Sequence, residues 1–205
     1  MEIVICGGTC SGKSSLARRL SRYLKIPMIE TGYFVKKMYF KNLKDTYYPN
    51  VSHDRFMSIL KQIYNEKGKD NITKLRINYI KESKVKYGKE YFIHEMIKTI
   101  DKKECIVVGI REQWELELIK NSFDNCIFIY LYSNEKTLTD RFYSREEKNY
   151  KKSNINQLFF QRRNIDKKGK VDNLKFLCDV SIDTSYMSKD EVFETALDYI
   201  LRKEK

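Results

Sequence analysis

The chain opens on Glu2-Ile-Val-Ile-Cys6, a short β-branched apolar run followed at once by glycine. That is the pattern of a strand buried on both faces of a parallel sheet. Leu16, Leu20 and Leu24 then recur at four-residue spacing with Ala17 beside them, which predicts an amphipathic helix ending near Pro27. Pro27-Met-Ile-Glu30 reads as a second strand. From about Tyr33 to Glu104 the period is helical. Phe56, Ile59, Leu60 and Ile63 share one face, as do Ile93, Met96, Ile97 and Ile100, with a weaker helix over residues 72–80 between them.

Strand character returns in Cys105-Ile-Val-Val-Gly109, in Cys126-Ile-Phe-Ile-Tyr-Leu131 and in Cys178-Asp-Val-Ser-Ile182. Between them Glu112 to Lys120 predicts a helix with Trp114 and Leu118 one turn apart. The last helix opens on Ser188-Lys-Asp-Glu191, a capping-box spacing. Its apolar stripe is Val192, Phe193, Ala196, Leu197, Ile200 and Leu201. Five apolar strands alternating with helices predict an α/β fold, three layers around a five-stranded parallel sheet. A structureless loop of the length between the second and third strands is uncommon in such a domain, so that segment reads as a helical insertion covering a substrate.

Length and composition narrow this only a little. At 205 residues with 41% hydrophobic residues, one globular domain is expected. Only 2 prolines and 8 glycines leave little room for a linker. The start at Met1 lacks the features of a signal peptide, and no apolar run approaches the ~20 residues needed to cross a bilayer. Cys6, Cys10, Cys105, Cys126 and Cys178 form no CxxC pair, so a reducing, cytoplasmic setting is expected, with no disulfide framework or zinc site. The net charge of +12 comes from 40 Lys+Arg against 28 Asp+Glu. Lysine is scattered almost everywhere, with local clusters at Lys148–Lys152 and Lys167–Lys170. No basic stripe interleaved with aromatics stands out, so nucleic acid is not an expected partner.

The chemistry enters with Gly7-Gly8-Thr9-Cys10-Ser11-Gly12-Lys13-Ser14, which fits GxxxxGK[ST]. Glycines let consecutive N–H groups point inward at a phosphate, and the helix that follows adds its positive end. In such a loop Lys13 reaches the β- and γ-phosphates and the Ser14 hydroxyl ligates Mg²⁺. An apolar strand leads in and an amphipathic helix leads out, the setting the motif requires. Gly7, Gly8, Thr9, Cys10, Ser11, Gly12, Lys13, Ser14 and Ser15 are therefore the nucleotide-binding candidates, with ATP and Mg²⁺ as the expected ligands. Cys10, near a helix start, has either a lowered thiol pKa or no role beyond filling a free position.

Asn134-Glu-Lys-Thr is not the NKxD of a GTPase, and the acidic motif of an AAA+ or helicase motor is absent. What remains is the branch of small kinases. The stretch Gly12-Lys-Ser-Ser-Leu-Ala-Arg-Arg-Leu20, followed by Ile26-Pro-Met-Ile-Glu-Thr-Gly-Tyr33, resembles the nucleoside monophosphate kinase family, and cytidylate kinases within it. Glu30 stands where that family usually has Asp. Gly109-Ile-Arg111 is similar to the family's turn that grips the acceptor's phosphate, and Ile182-Asp-Thr-Ser185 to the segment beside adenine. Tyr87-Gly-Lys-Glu-Tyr-Phe92 and Val108-Gly-Ile-Arg-Glu112 look like dephospho-CoA kinases instead, and the GRD signature of cytidylate kinases is missing.

The resemblance implies a P-loop NTPase fold with core 1–34 and 101–205, an acceptor-binding insertion at about 35–100 and a lid at about 141–165. It implies transfer of the γ-phosphate of MgATP to a nucleotide, the small-molecule partner. Lys13, Arg111 and Glu30 would be catalytic, together with Arg141 and Arg145, which lie one turn apart and neutralise the moving phosphoryl group. Thr184 would lie beside the nucleotide, while Thr31, Tyr33, Arg111 and Arg163 would hold the acceptor, with Arg162 the competitor of Arg163. The aspartate that many of these kinases carry at the end of the third strand is replaced here by Val107-Val108-Gly109, which leaves Glu30 as the carboxylate for Mg²⁺ waters or the acceptor. His53 and His94 read as ordinary helix positions. A dephospho-CoA kinase-like enzyme, a polynucleotide 5′-kinase and a non-catalytic nucleotide-binding protein are the other readings; no membrane or obligate protein partner is inferred.

Overall fold

Glu2–Gly7 forms strand β1, buried along its whole length. The strands β2 (Met28–Glu30), β3 (Cys105–Val108), β4 (Cys126–Tyr132) and β5 (Val180–Asp183) join it in one sheet of order β2-β3-β1-β4-β5. All neighbours are parallel, and Ile5 stands opposite Val108 on one side and Ile129 on the other. From the central β1 the chain goes to one side for β2 and β3, then to the other for β4 and β5. That reversal opens a crevice at the carboxyl end of β1, where open α/β sheets take their ligands.

The computed structural model describes residues 1–100, 104–148, 150 and 152–203, with backbone alone at 64, 66–71, 152 and 153. Residues 101–103, at the end of the predicted helical segment, and Asn149 and Lys151, in the predicted lid, lie outside the described residues. The helices are α1 (Lys13–Leu24), α2 (Thr31–Tyr47), α3 (His53–Tyr87), α4 (Tyr91–Ile100), α5 (Gln113–Ser122), α6 (Glu135–Glu146), α7 (Lys152–Lys168) and α8 (Lys189–Lys203). Ile3 and Ile5 pack with Leu16, Ala17 and Leu20 of α1 and with Val192, Ala196 and Ile200 of α8. The alternate positions Val4, Cys6, Phe128 and Tyr130 are buried on the opposite face. There β1 and β4 adjoin a 3₁₀ helix, Val171–Leu177, which also adjoins α5. This is the three-layer P-loop arrangement.

The chain divides into two compact units, Met1–Glu30 with Ile100–Lys205, and Thr31–Thr99. The second unit is helical and has an aromatic core of its own. Its Tyr39 and Tyr79 rings lie 5.4 Å apart, Tyr48 and Phe56 5.7 Å, and Tyr79 and Phe92 5.9 Å. In the first unit α6 and α7 share a small cluster of Leu138, Phe142, Ile155 and Phe159, against which Cys10 packs. Among the described residues no helix is long and apolar enough to cross a membrane.

Three local expectations are corrected. The two helices expected around residues 56–63 and 72–80 are one helix, α3, because the only breaker between them is Gly68, which a helix tolerates at a cost of about 1 kcal/mol. Pairing in β5 starts at Val180 rather than Cys178, since the Asp179 carboxylate accepts the Phe128 N–H at 2.7 Å in place of a ladder bond. In α5 Leu116 and Ile119 are buried, and Trp114 and Leu118 are half-buried. Leu201, expected in the stripe of α8, is exposed, while the Ser188–Glu191 capping box forms with reciprocal bonds of 3.2 and 2.7 Å.

Two glycines separate steric need from tolerance. A Cβ at Gly7 (φ 137°) would stand 2.0 Å from the Leu131 carbonyl oxygen, whereas one at Gly32 would meet nothing within 4 Å. Gly7→Ala is therefore expected to destabilise the protein by at least about 2 kcal/mol, and Gly32→Ala, early in α2, to stabilise it by about 0.5–1 kcal/mol. Urea unfolding of both variants checks the contrast.

Candidate active site

The loop between β1 and α1 owes its shape to three residues with positive φ: Gly7 at 137°, Cys10 at 64° and Gly12 at 100°. Gly12 ends the loop in the left-handed region, and its carbonyl accepts the N–H groups of Ser15 and Leu16 at 3.0 Å. The first turn of α1 thus begins at the loop. Lys13 folds its ammonium back onto the Gly8 carbonyl (2.5 Å), with Ser11 Oγ at 3.5 Å.

The loop forms one wall of a cavity of about 680 Å³. Gly7, Thr9, Cys10, Gly12, Lys13, Ser14 and Ser15 line it from the loop, and Glu30, Arg111, Arg141 and Arg145 line it from elsewhere. Glu30 is the last residue of β2, opposite Val108, and Arg111 follows the left-handed Gly109 (φ 100°) beyond β3. The C-terminal edge of the sheet thus brings together residues far apart in sequence. Arg111 is fixed at its backbone, where its N–H and that of Glu112 donate to Glu115 Oε2 at 2.8 and 3.2 Å.

The arginines differ in how they are held. Arg141 donates to Thr184 Oγ1 (2.9 Å), the Thr184 carbonyl (2.7 Å) and the Cys10 carbonyl (3.5 Å), tying α6 to the end of β5 and to the loop. Arg145 donates to Glu146 at 2.8 Å, with its guanidinium 4.9 Å from the centre of the Phe142 ring. Arg163 pairs with Glu135 at 3.1 Å and has Asp166 at 3.9 Å. Arg162 lines the cavity and Arg163 does not.

Thr184 is 1% exposed, and its hydroxyl donates within the protein, at 3.0 Å to the Tyr132 carbonyl and 3.3 Å to that of Ser11. Its side chain braces the loop. Gly8 and Ser11 belong to the loop without lining the cavity. Thr31 and Tyr33 lie in the first turn of α2, in the helical unit, with Lys37 Nζ 5.1 Å from the centre of the Tyr33 ring.

Sequence reasoning missed Arg18, Ser144, Lys189 and above all Asp166. The Asp166 carboxylate is 5% exposed, accepts the Thr9 N–H at 2.7 Å and takes a hydrogen bond from Arg111 Nη1 at 2.9 Å. A signal was present in α7. Ile155 and Phe159 continue at helical spacing to Arg163 and Asp166, so the aspartate occupies a position where the stripe calls for a buried residue.

Burial pushes Lys13 down to about 8, because an ammonium is poorly solvated there. The Asp166 charge opposes the shift, Arg111 adds to it, and Cys6 and Cys10 oppose it weakly. The Cys10 thiol is raised, also by burial, against the smaller opposite pull of Arg145 and Lys13. That direction favours, of the two readings of Cys10, the one without an activated thiol.

Residues 3–167 match a family model, AAA_18, described as an AAA domain. The chain belongs to this family. The match spans β1, the loop and most of α7, although the acidic motif of an AAA+ motor is absent from the sequence. No curated protein matches the sequence. Among solved structures the AAA_18 chain is similar to a gluconokinase from Sinorhizobium meliloti 1021, with 16% identity, TM-score 0.54 and 98% and 91% of the two chains covered. It is similar to a shikimate kinase from Acinetobacter baumannii, in complex with shikimate, with 14% identity, TM-score 0.54 and 98% and 93% covered. An uncharacterized protein from Eubacterium ventriosum ATCC 27560 gives 17% identity, TM-score 0.53 and 98% of each chain. These likenesses establish a shared fold.

The depressed Lys13 sets a pH dependence with a definite sign. The ammonium is charged below about pH 8 and neutral above, so a polyphosphate that needs the charge must take up a proton at higher pH. ATP affinity is expected to be flat near pH 7 and to fall above about pH 8, by at most about tenfold per unit. Calorimetry in buffers of different ionisation enthalpy measures both affinity and proton uptake; constant affinity up to about pH 9.5 contradicts the assignment.

Proposed function

We propose that this protein is an ATP-dependent small-molecule kinase that transfers the γ-phosphate of MgATP to a nucleoside monophosphate, of the cytidylate or deoxynucleotide type. The observation that carries this reading is the charge of the loop cavity. Among the described residues Arg18, Arg111, Arg141, Arg145 and Arg162, with Lys13 and Lys189, line the same space as only two carboxylates, Glu30 and Asp166. MgATP brings about two negative charges, so the surplus suits a second anionic group on the acceptor.

In this reading the loop N–H groups and the start of α1 bind the triphosphate, with Lys13 moving from the Gly8 carbonyl to the β- and γ-oxygens. Arg145 and Arg162 neutralise charge as it spreads over the transferring phosphoryl group, and Arg111 holds the acceptor's phosphate. A phosphate acceptor is already an anionic nucleophile, so positioning and positive charge suffice without a histidine base. The donor set fits Mg²⁺: the Ser14 hydroxyl and the Glu30 carboxylate both reach the cavity, and the ion would neutralise charge between the β- and γ-phosphates.

A second reading is a kinase for a hydroxyl acceptor, as in a dephospho-CoA kinase-like enzyme. It is favoured by Glu30, a carboxylate on the cavity wall that could accept a hydroxyl proton, and by the fold shared with a gluconokinase and a shikimate kinase.

ATP consumption measured against ribo- and deoxynucleoside monophosphates, dephospho-CoA, gluconate and shikimate separates these readings. The expected result is turnover with a nucleoside monophosphate, lowered at least about a hundredfold by Lys13→Ala. Turnover only with a hydroxyl acceptor selects the second reading, and ATP binding without any acceptor turnover rejects both.

A further inference from the structure

Arg111 looks like a mobile surface residue, with 44% of its side chain exposed. It is held at two points and closely approached at a third. Its N–H is held by Glu115 at 2.8 Å, and its Nη1 donates to Asp166 Oδ1 at 2.9 Å. Its carbonyl lies under the end of α7, so close that a Cβ at Gly169 would stand 2.7 Å from the oxygen. Asp166 in the last turn of α7 and Gly169 just beyond it therefore both bear on Arg111.

Asp166 does more than pair with one arginine. Its other oxygen, Oδ2, accepts the Thr9 N–H at 2.7 Å, so a single carboxylate joins the phosphate loop to Arg111. Almost wholly buried, it has both oxygens engaged by charge-assisted or backbone hydrogen bonds, as a buried carboxylate requires. An asparagine has one acceptor oxygen and an NH₂ group in place of the second, so it cannot serve both donors. The position specifies a charged, two-acceptor side chain.

We propose that Asp166 is a positioning residue that fixes Arg111 relative to the phosphate loop, so that the loop and the arginine receive two phosphoryl groups at a set separation. The inference rests on the proposed assignment of Arg111 to a phosphate beyond the γ-position. Arg111 spends one donor on Asp166, and the rest of its guanidinium fork remains for the ligand. The carboxylate costs the site one negative charge, and in return the arginine is ordered before a ligand arrives.

Adenosine 5′-tetraphosphate carries one phosphate more than ATP and places it beyond the loop. Calorimetric affinities of both ligands are compared for the full chain, Asp166→Asn, Arg111→Lys, the double variant and Gly169→Ala. In the unmodified chain the fourth phosphate is expected to raise affinity by about tenfold. In Asp166→Asn that increment, the ratio of the two affinities, should fall below about threefold. Arg111→Lys should also lose the increment, and the double variant should lose no more than Arg111→Lys alone, because both act through the same guanidinium.

Gly169→Ala displaces the end of α7 from Arg111 without changing a cavity side chain, and it should also reduce the increment; it decides the matter if Asp166→Asn does not fold. A full increment in both Asp166→Asn and Gly169→Ala overturns the proposal. So does a parallel loss of ATP affinity, tetraphosphate affinity and melting temperature, the mark of a purely structural role. An unmodified chain that binds ATP but gains nothing from the fourth phosphate also overturns it. Failure to bind either ligand defeats the kinase reading itself and this inference with it.

Discussion

The approach of Gly7 to the carbonyl of Leu131 is the constraint on which the rest of the site depends. The ladder between β1 and β4 runs to the pair Gly7–Leu131, and there β1 must leave the sheet while its backbone still touches its neighbour. No side chain fits the gap, and φ of 137° suits glycine alone. The turn that follows directs the next residues over the sheet edge and delivers Gly12 in the left-handed conformation that starts α1. Cys10 holds a positive φ without being glycine, a strain of about 1 kcal/mol or more. Its side chain packs on the α6–α7 cluster, so packing offsets the strain and couples the loop to the helix pair that carries Arg141, Arg145 and Asp166.

That coupling matters because the cavity concentrates like charge. Seven cationic side chains around one space repel one another, and the structure answers with a separate anchor for most arginines. Arg141 is spent on Thr184 and Cys10, Arg145 on Glu146 and the Phe142 ring, and Arg111 on Asp166. Among the described residues Lys13 hydrogen-bonds only to the Gly8 carbonyl and Ser11, and burial disfavours its charge. The residue closest to the loop chemistry is thus also the one whose charge a bound polyphosphate would stabilise most.

The sequence disclosed what is local. The loop is eight consecutive residues whose types follow from phosphate chemistry, and the strands are continuous apolar runs, so both could be read directly. The capping box of α8 was legible for the same reason. Asp166 was not, because its partners Thr9 and Arg111 lie 157 and 55 residues away, and nothing in a helical aspartate announces them. The choice between Arg162 and Arg163 turns on about 100° of helix rotation, which is set by the packing of Ile155 and Phe159 rather than by residue type. The burial of Thr184 depends on carbonyls of β4 and the loop that only the fold brings together.

The same geometry decides how to read the net charge of +12. A lysine-rich coding bias explains a basic chain without invoking function, and it predicts that cations near the loop mirror the whole composition. They do not. Among the described residues two lysines and five arginines line the cavity, although lysine outnumbers arginine 29 to 11 in the sequence. Arginine differs from lysine in a planar fork of donors that matches two oxygens of a phosphate at once and in weaker hydration that tolerates partial burial. Enrichment by residue type, rather than by charge, is what phosphoryl recognition asks for. The scattered lysines elsewhere remain adequately explained by composition, and the arginines around the loop are not.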